Sequence, residues 1–133
     1  MEELKAGLKG VLKIVVEEKD LATHYGNPGV EVLSTPRVAA LAEEAAIAAI
    51  REHLPQGNVS LGGWLELSHQ APTPLGMGVT VTALLTEVDG RKLRFEVTVE
   101  DEVEKVAEAR HLRVAVDLAR FNEKVADKGK GGD

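Results

Sequence analysis

The hydrophobic pattern is most unusual over residues 34–53, which read STPRVAALAEEAAIAAIREH. Within this stretch every residue of 38–50 is apolar except Glu43 and Glu44. The run predicts a helix with Thr35 as its N-cap and a proline at the first helical position, where the missing N–H costs nothing. A helix with so little polar surface is expected to be covered on most sides by other structure.

Five further segments with alternating or apolar character predict β-strands. They are residues 7–18, 59–71, 79–88, 93–99 and a less regular fifth from about 103 to 116. Asp89-Gly90 indicates a tight hairpin, residues 20–32 a loop with one helical turn, and Asp117 the cap of a short final helix. Hairpin-connected strands form antiparallel sheets, so the pattern predicts an α+β fold in which a curved antiparallel sheet wraps one long central helix.

The composition is typical of one soluble, folded domain. The chain has 133 residues, of which 44% are hydrophobic and 29% charged. We expect a single domain over residues 1–126 and a disordered tail over 127–133. No apolar run approaches the roughly 20 residues of a membrane span, and no signal-peptide pattern is seen, so no membrane contact and a cytoplasmic location are expected.

Charge and residue usage exclude several classes of function. The net charge of −6 argues against nucleic acid as a partner. The absence of cysteine excludes disulfides and thiolate chemistry, and the four histidines lack the spacing of metal ligands. The many Glu, Lys, Arg and Val residues beside few Asn, Gln and Met suggest a thermophilic source.

Two adjacent carboxylates in the apolar helix stand out as candidate chemistry. The neighbours of Glu43 one turn away are alanines and Ile47, so its charge needs a partner, a proton or a catalytic use. From the residues alone, a catalytic base and a structural carboxylate in a dimer salt bridge are equally supported. Glu44 has Arg37 and Arg51 seven positions to either side, so we expect a charge at a solvent edge or interface.

Three positions on the strands are further candidates. His69 has the parity of the apolar positions before it and is predicted to face the core, as a site residue or as a satisfied core histidine. Gly62-Gly63 indicates a bulge or a close backbone approach to a ligand. Arg113 shares parity with Ala107 and its small neighbours, which suits either a surface charge or an anion-binding role.

Seven short pieces carry a resemblance to a known family. They are T-P-x-V-x-x-L-x-E (35–43), S-L-G (60–62), H-x-A-P-T-P-x-G (69–76), V-T-V-T-A (79–83), V-D-G-R (88–91), H-x-R (111–113) and R-F-N-x-K-V (120–125). In this order and spacing, over about residues 7–125, the chain resembles the hotdog-fold thioesterases, in particular the fluoroacetyl-CoA thioesterase-like family.

The resemblance implies hydrolysis of a small or medium acyl-CoA thioester without metal or organic cofactor, since coenzyme A is part of the substrate. It also implies a site shared across a homodimer, alone or within a dimer of dimers. The family's catalytic Thr, Glu and His fall on Thr35, Glu43 and His69. Its substrate-contacting glycine amide falls on Gly62, and its substrate-contacting arginine falls on Arg113.

Two departures limit what the resemblance carries over. Ala107 and Ala109 stand where relatives often have glycines before H-x-R, and the loop before the helix lacks phenylalanine, so a fluoroacetate-selective aromatic gate is not expected. The alternative function is a non-catalytic hotdog module that binds acyl-CoA or serves as a dimeric scaffold. Such a module has no use for Glu43 in an apolar helix.

Overall fold

A computed structural model describes residues 3–131 of the chain. The elements in order are β1 (Lys9–Val15), α1 (Thr35–Ile50), β2 (Asn58–His69), β3 (Gly78–Asp89), β4 (Lys92–Asp101), β5 (Lys105–Asp117) and α2 (Leu118–Gly129). Short 3-10 turns at Glu18–Asp20 and Ala22–Tyr25 lie at and within the predicted loop, and a third at Arg51–His53 extends α1. Each predicted strand and helix is confirmed, with shifts of a few residues at the ends.

The five strands form one antiparallel sheet in the order β1-β3-β4-β5-β2. The long helix α1 packs on one face of this sheet and contacts all five strands. The α+β arrangement of one central helix against an antiparallel sheet is therefore confirmed. Strands β1 and β2 are the two edges, so each has one side without a strand partner within residues 3–131.

The alanines of α1 let β1 approach the helix backbone closely. A Cβ atom added at Gly10 would lie closer than 3.0 Å to the backbone of both Ala45 and Ala49. Real Cβ atoms essentially never come that close to backbone, so only glycine fits at this crossing. Within residues 37–50 the single exposed residue is Glu44, which agrees with the predicted coverage of the helix.

Ser34 caps α1, and the predicted Thr35 cap is wrong. Ser34 has extended backbone angles, and its side chain accepts a hydrogen bond from the amide of Arg37 at 3.2 Å. Thr35 is thus the first helical residue and Pro36 the second. Both hydroxyl residues suit a cap, and the one that stays extended just before the helix takes the role. The hydroxyl of Thr35 is consequently available to another partner.

Strand β2 contains a bulge at Gly63. Gly62 pairs with Arg113 of β5 and Trp64 pairs with Leu112, so Gly63 has no residue opposite it. This confirms the bulge predicted from the paired glycines.

The bulge changes which side chains of β2 face α1. Leu61, before the bulge, pairs with Val114, whereas Leu65, after it, pairs with His111. Directly paired residues share a face and β5 alternates along its length, so Leu61 lies on the opposite face from Leu65. Uninterrupted alternation along β2 would put Leu61 on the same face as Leu65, and the extra residue at Gly63 reverses this phase.

The final helix is longer than predicted. Asp117 caps it as expected, accepting a hydrogen bond from the amide of Arg120 at 3.0 Å. The helix continues through Gly129, so the boundary predicted at residue 126 is wrong for residues 127–129. Glu123, Lys124, Ala126 and Lys128 are good helix formers, and glycine recurs only from residue 129 onward. Residues 132–133 of the predicted tail lie outside the described range.

Among the helices of residues 3–131, none is long and apolar enough to cross a membrane.

Candidate active site

The first of two polar clusters joins the start of α1 to the end of β2. Thr35 Oγ1 and His69 Nδ1 are 2.7 Å apart, although the residues are 34 positions apart in sequence. His69 is half-buried in phase with Leu65 and Leu67, as the alternation after the bulge predicts, while Ser68 between them is exposed. The sequence-predicted Thr35 and His69 therefore form a hydrogen-bonded pair.

The second ring nitrogen of His69 is unsatisfied. Its Nε2 is buried and has no hydrogen-bond partner in residues 3–131, which does not fit a fully satisfied core histidine. Burial lowers the pKa of His69, so the imidazole is neutral near pH 7. The pair borders a groove of about 270 Å³, whose opposite side includes Val30 and Val32 of the loop before α1.

The second cluster surrounds the carboxylate of Glu43. Its Oε1 accepts a hydrogen bond from Arg113 Nη1 at 3.0 Å and lies 3.8 Å from His111 Nε2. The Glu43 side chain is 42% exposed, whereas that of Arg113 is 5% exposed. Of the three outcomes predicted for Glu43, pairing is the one observed. The ion pair lies within one chain and leaves part of the carboxylate open.

Arg113 is buried and contacts the other residues of this cluster, so its interpretation as a surface charge is wrong. Its Nε donates to Ser60 Oγ at 2.7 Å and its Nη2 donates to the carbonyl oxygen of Ser60 at 2.9 Å. Burial lowers the pKa of Arg113, and the hydrogen bond to Glu43 opposes this effect. The guanidinium keeps its charge at neutral pH, is held by two hydrogen bonds to Ser60, and donates one hydrogen bond to the Glu43 carboxylate.

His111 belongs to the same cluster and was not singled out by the sequence. Its Nε2 lies 3.0 Å from Arg113 Nη1, and its Nδ1 lies 2.7 Å from the carbonyl oxygen of Trp64. Burial lowers the pKa of His111, with Arg113 acting in the same direction. Its parity with Arg113 on β5 was the available signal, because the two side chains must face the same side of the sheet.

Gly62 leaves the space that the Glu43 carboxylate occupies. A Cβ atom at Gly62 would lie closer than 3.0 Å to Glu43 Oε1, whereas at Gly63 it would meet its nearest neighbour at an ordinary 3.7 Å. Gly62 thus lies directly against the carboxylate and the guanidinium of Arg113. The predicted close backbone approach is observed here toward a side chain of the protein itself.

The predicted site residues form two groups rather than one. Glu43, Gly62 and Arg113 are together, and Thr35 and His69 are together. Along α1 the two groups are about 12 Å apart, at 1.5 Å of rise per residue over the two turns from Thr35 to Glu43. Glu44 belongs to neither, because it pairs with Arg37 at 2.9 Å and is half exposed, as predicted.

In residues 3–131, no three His, Asp or Glu side chains are grouped so that they could hold a metal ion. The groups available for chemistry in the two clusters are therefore a carboxylate, two imidazoles, a hydroxyl and a guanidinium. Together they offer a base, a proton carrier and donors for a developing negative charge.

Comparison with known proteins identifies the family. The model of the family described as fluoroacetyl-CoA-specific thioesterase matches residues 16–119. The fluoroacetyl-CoA thioesterase of Streptantibioticus cattleyicolor is 38% identical over 102 residues, which cover 77% of this chain and 73% of that protein.

Solved structures agree with the fold and the family. A mutant of the fluoroacetyl-CoA thioesterase in complex with acetyl-CoA superposes with a TM-score of 0.88 at 32% identity, covering 94% of this chain and 98% of that one. A hot-dog-like protein from Thermanaerovibrio acidaminovorans superposes with a TM-score of 0.86 at 25% identity, covering 92% and 91%. The predicted hotdog fold is thus confirmed, and the chain belongs to the family of fluoroacetyl-CoA-specific thioesterases.

Proposed function

We propose that this protein hydrolyses the thioester of a small or medium acyl-CoA to a free acid and coenzyme A, using only side chains and water. The family membership supports this activity, as does the acetyl-CoA bound by a related enzyme. The observation that carries the proposal is the Glu43 carboxylate, which is held by Arg113, backed by Gly62 and still open on one side. A binding module gains nothing from a carboxylate placed in this way.

Glu43 supplies the base or the nucleophile. As a base, it takes a proton from water while the water oxygen attacks the thioester carbon. As a nucleophile, it attacks that carbon directly and forms an anhydride that water then cleaves. In both cases Arg113 keeps the carboxylate oriented toward its open side. The Gly62 amide is the donor proposed for the carbonyl oxygen, whose negative charge grows during the attack.

The Thr35–His69 pair supplies the proton relay near the leaving group. Since the pKa of His69 is lowered by burial, the ring is neutral and carries one proton that can sit on either nitrogen. Thr35 fixes the ring through Nδ1. The unpaired Nε2 can take up the proton that Glu43 has removed from water and pass it to the sulfur of coenzyme A as the C–S bond breaks, which returns the ring to its neutral form.

Within one chain the relay and the base are too far apart to act on one thioester carbon. We propose a homodimer, alone or within a dimer of dimers, in which β2 pairs antiparallel with β2 of a second copy. A register that places Gly62 opposite the other copy's His69 pairs residues 62–69 of each strand. Glu43 of one copy then lies near the Thr35–His69 pair of the other, twice per dimer.

Strand β2 suits this pairing better than the other edge does. It has 12 residues against 7 in β1, and β1 carries Lys9 and Lys13, which are typical of an edge kept from pairing. Trp64, near the middle of the proposed contact, is 49% exposed. The partly exposed apolar residues beside Glu43 on α1, Ala40 and Ile47, lie on the part of the helix that the chain's own sheet does not fully cover.

A thiol-release assay over a panel of acyl-CoA chain lengths tests the activity. We expect turnover by the wild type and a loss of about 1,000-fold or more in kcat for Glu43→Gln. Glu44→Gln is the matched control, one residue away and paired only with Arg37, and should keep activity within a few-fold. Binding of acyl-CoA without turnover by the wild type would favour the non-catalytic module instead.

Subunit complementation tests the shared site. Alone, the Glu43→Gln chain is expected to be nearly inactive and the Thr35→Val chain to keep about one tenth of wild-type activity. Coexpressed, they form heterodimers in which one of the two sites has both wild-type residues, so about one quarter of wild-type activity should return. A site made within one chain would give no recovery, and light scattering of the same samples reports whether dimers form.

We also propose a cytoplasmic location, because acyl-CoA thioesters are made and used inside the cell. Fractionation of the source organism, followed by detection of the protein, tests this.

A further inference from the structure

His111 is the buried member of the Glu43 cluster that the proposed reaction does not use. Its side chain is 1% exposed and makes a contact at each ring nitrogen. On one side is a backbone carbonyl of β2, and on the other is the guanidinium of Arg113. A histidine placed only for packing needs no polar partner on both sides.

The two partners allow one protonation state of the ring. The carbonyl oxygen of Trp64 can only accept a hydrogen bond, so Nδ1 must donate. Arg113 Nη1 can only donate, so Nε2 must be the acceptor. His111 is therefore the neutral Nδ1–H tautomer, and a proton on Nε2 would face another N–H group across 3.0 Å.

The same contacts connect the bulge to the cation. Trp64 follows the Gly62-Gly63 pair directly, and its carbonyl is the point at which β2 resumes regular pairing with β5. Arg113 Nη1 is shared between His111 and Glu43. His111 thus spans from the strand segment that presents Gly62 to the group that orients Glu43.

We propose that His111 is a positioning residue for the thioesterase reaction: its Nε2 accepts a hydrogen bond from Arg113 and so holds the guanidinium where it orients Glu43 beside Gly62. This inference rests on the proposed function for its kinetic consequences, whereas the tautomer it requires does not depend on activity. His111 touches neither the thioester nor water in this role and acts through Arg113.

The groups facing His111 determine what protonation would do. Arg113 faces it from β5, Glu43 from α1 at 3.8 Å, the Trp64 carbonyl from β2, and the Phe95 ring from β4 with centroids 6.2 Å apart. A proton on Nε2 removes the acceptor for Arg113 and draws Glu43 toward the imidazolium instead. The Glu43 carboxylate would then lose its fixed orientation as the pH falls.

Two amide variants separate the two ring contacts. His111→Gln keeps an acceptor at the position of Nε2, and His111→Asn keeps a donor at the position of Nδ1. We expect His111→Gln to retain kcat/KM within a few-fold, and His111→Asn to lose about ten- to hundredfold, mainly in kcat. The acid limb of the pH–rate profile should lie at lower pH for His111→Gln than for the wild type, because the amide does not titrate.

A structural role alone would lower the melting temperature and activity of both variants in parallel and would leave the acid limb in place. Either result, or equal kcat values for the two variants, overturns the proposal. His24→Gln removes a histidine from the loop before α1 and is the matched control, for which kcat and the pH profile should not change.

Nitrogen NMR of the ring tests the tautomer without any substrate. Long-range ¹H–¹⁵N spectra of the ¹⁵N-labelled protein near pH 7 should show His111 as the Nδ1–H form, assigned by its loss in His111→Gln. The Nε2–H form or an imidazolium would overturn the proposal. If the wild type shows the Nδ1–H form but no turnover, the proposed function fails while the geometry of His111 stands.

Discussion

The two polar clusters differ in how completely their hydrogen bonds are made. Around Glu43, the guanidinium of Arg113 uses all three of its nitrogens, and both nitrogens of His111 are engaged. In the Thr35–His69 pair, one ring nitrogen is bonded and the other is not. In the first cluster every side-chain nitrogen is hydrogen-bonded and only the Glu43 carboxylate stays partly open, whereas the second cluster has a ring nitrogen that is free to take up a proton.

This difference follows from where the clusters lie in the fold. The strand residues of the Glu43 cluster lie in the middle of the β2–β5 ladder, where strand register and the bulge determine their positions. The Thr35–His69 pair lies at the first residue of a helix and the last residue of a strand, next to a loop groove. Regular strand pairing fixes the orientation of the side chains, whereas side chains at the ends of helices and strands are more accessible to a ligand. We therefore expect small changes to damage the first cluster more than the second.

Among changes that keep Glu43 itself, Gly62→Ala should have the largest effect, because its Cβ would collide with Glu43 Oε1 and displace the carboxylate from Arg113. We expect kcat/KM to fall by about 100-fold or more, since a displacement of about 1 Å can have this effect. Gly63→Ala, whose Cβ has ordinary contacts, is the control and should stay within a few-fold. Equal losses in the two variants would show that the strand, rather than the carboxylate, responds.

Arg113→Lys should have the next largest effect. Lysine keeps the charge but cannot bond Ser60, His111 and Glu43 at once, so we expect a loss of about tenfold or more in kcat/KM. Arg110→Lys is the control, because Arg110 on the same strand is exposed and points to Glu66 on the outer face. If Arg113→Lys retains full activity, charge alone suffices and the closed geometry has no catalytic consequence.

Thr35 and Ser34 separate chemistry from helix capping. Thr35→Val removes the bond to His69 and should lower kcat by about tenfold, whereas Thr35→Ser keeps the hydroxyl and most of the activity. Ser34→Ala removes the cap and should lower the free energy of unfolding by about 1 kcal/mol with little change in kcat. The reverse pattern would return Thr35 to the cap role that its sequence context predicted.

That cap prediction shows where local sequence signals stop being sufficient. The long helix, the strands, the hairpin and the Asp117 cap follow from patterns within a few residues of each other. Ser34 and Thr35 carry the same local signal, and the choice between them depends on the course of the loop before the helix. The reversed phase of β2 depends similarly on where the extra residue sits.

Local sequence patterns do not predict the contacts within the candidate site, because these contacts join residues that are far apart in the sequence. Glu43 and Arg113 are 70 positions apart, and His111 meets Trp64 across 47. Family resemblance placed Glu43, Gly62 and Arg113 among the candidates without saying that they touch. His111 was not chosen as a candidate, because its parity with Arg113 indicates only a shared face of the sheet, and the Trp64 carbonyl that it also contacts has no signal in the sequence.

The smallest expected effect is on thermal stability at acid pH, where substitutions of His69 and His111 allow the two imidazoles to be compared directly. Burial lowers the pKa values of both His69 and His111 below the ordinary 6.5, so the unfolded chain binds more protons than the folded one once the pH falls below that value. Their contribution to stability is complete above pH 6.5 and is lost as the pH falls toward the folded values. Melting temperatures measured from pH 7.5 to 5 should therefore decrease.

The slope of that decrease should become smaller in His69→Gln and in His111→Gln, since each variant removes one titrating group. We expect the larger change for His111→Gln, because the His111 ring is the more deeply buried and faces a fixed cation, while the open pair around His69 can accept a proton at Nε2 with less disturbance. A slope unchanged in both variants would contradict this prediction. Asp101 cannot account for the decrease in this pH range, because hydrogen bonds from the surrounding amides and Thr73 outweigh its desolvation and lower its pKa, so its contribution is lost only at lower pH.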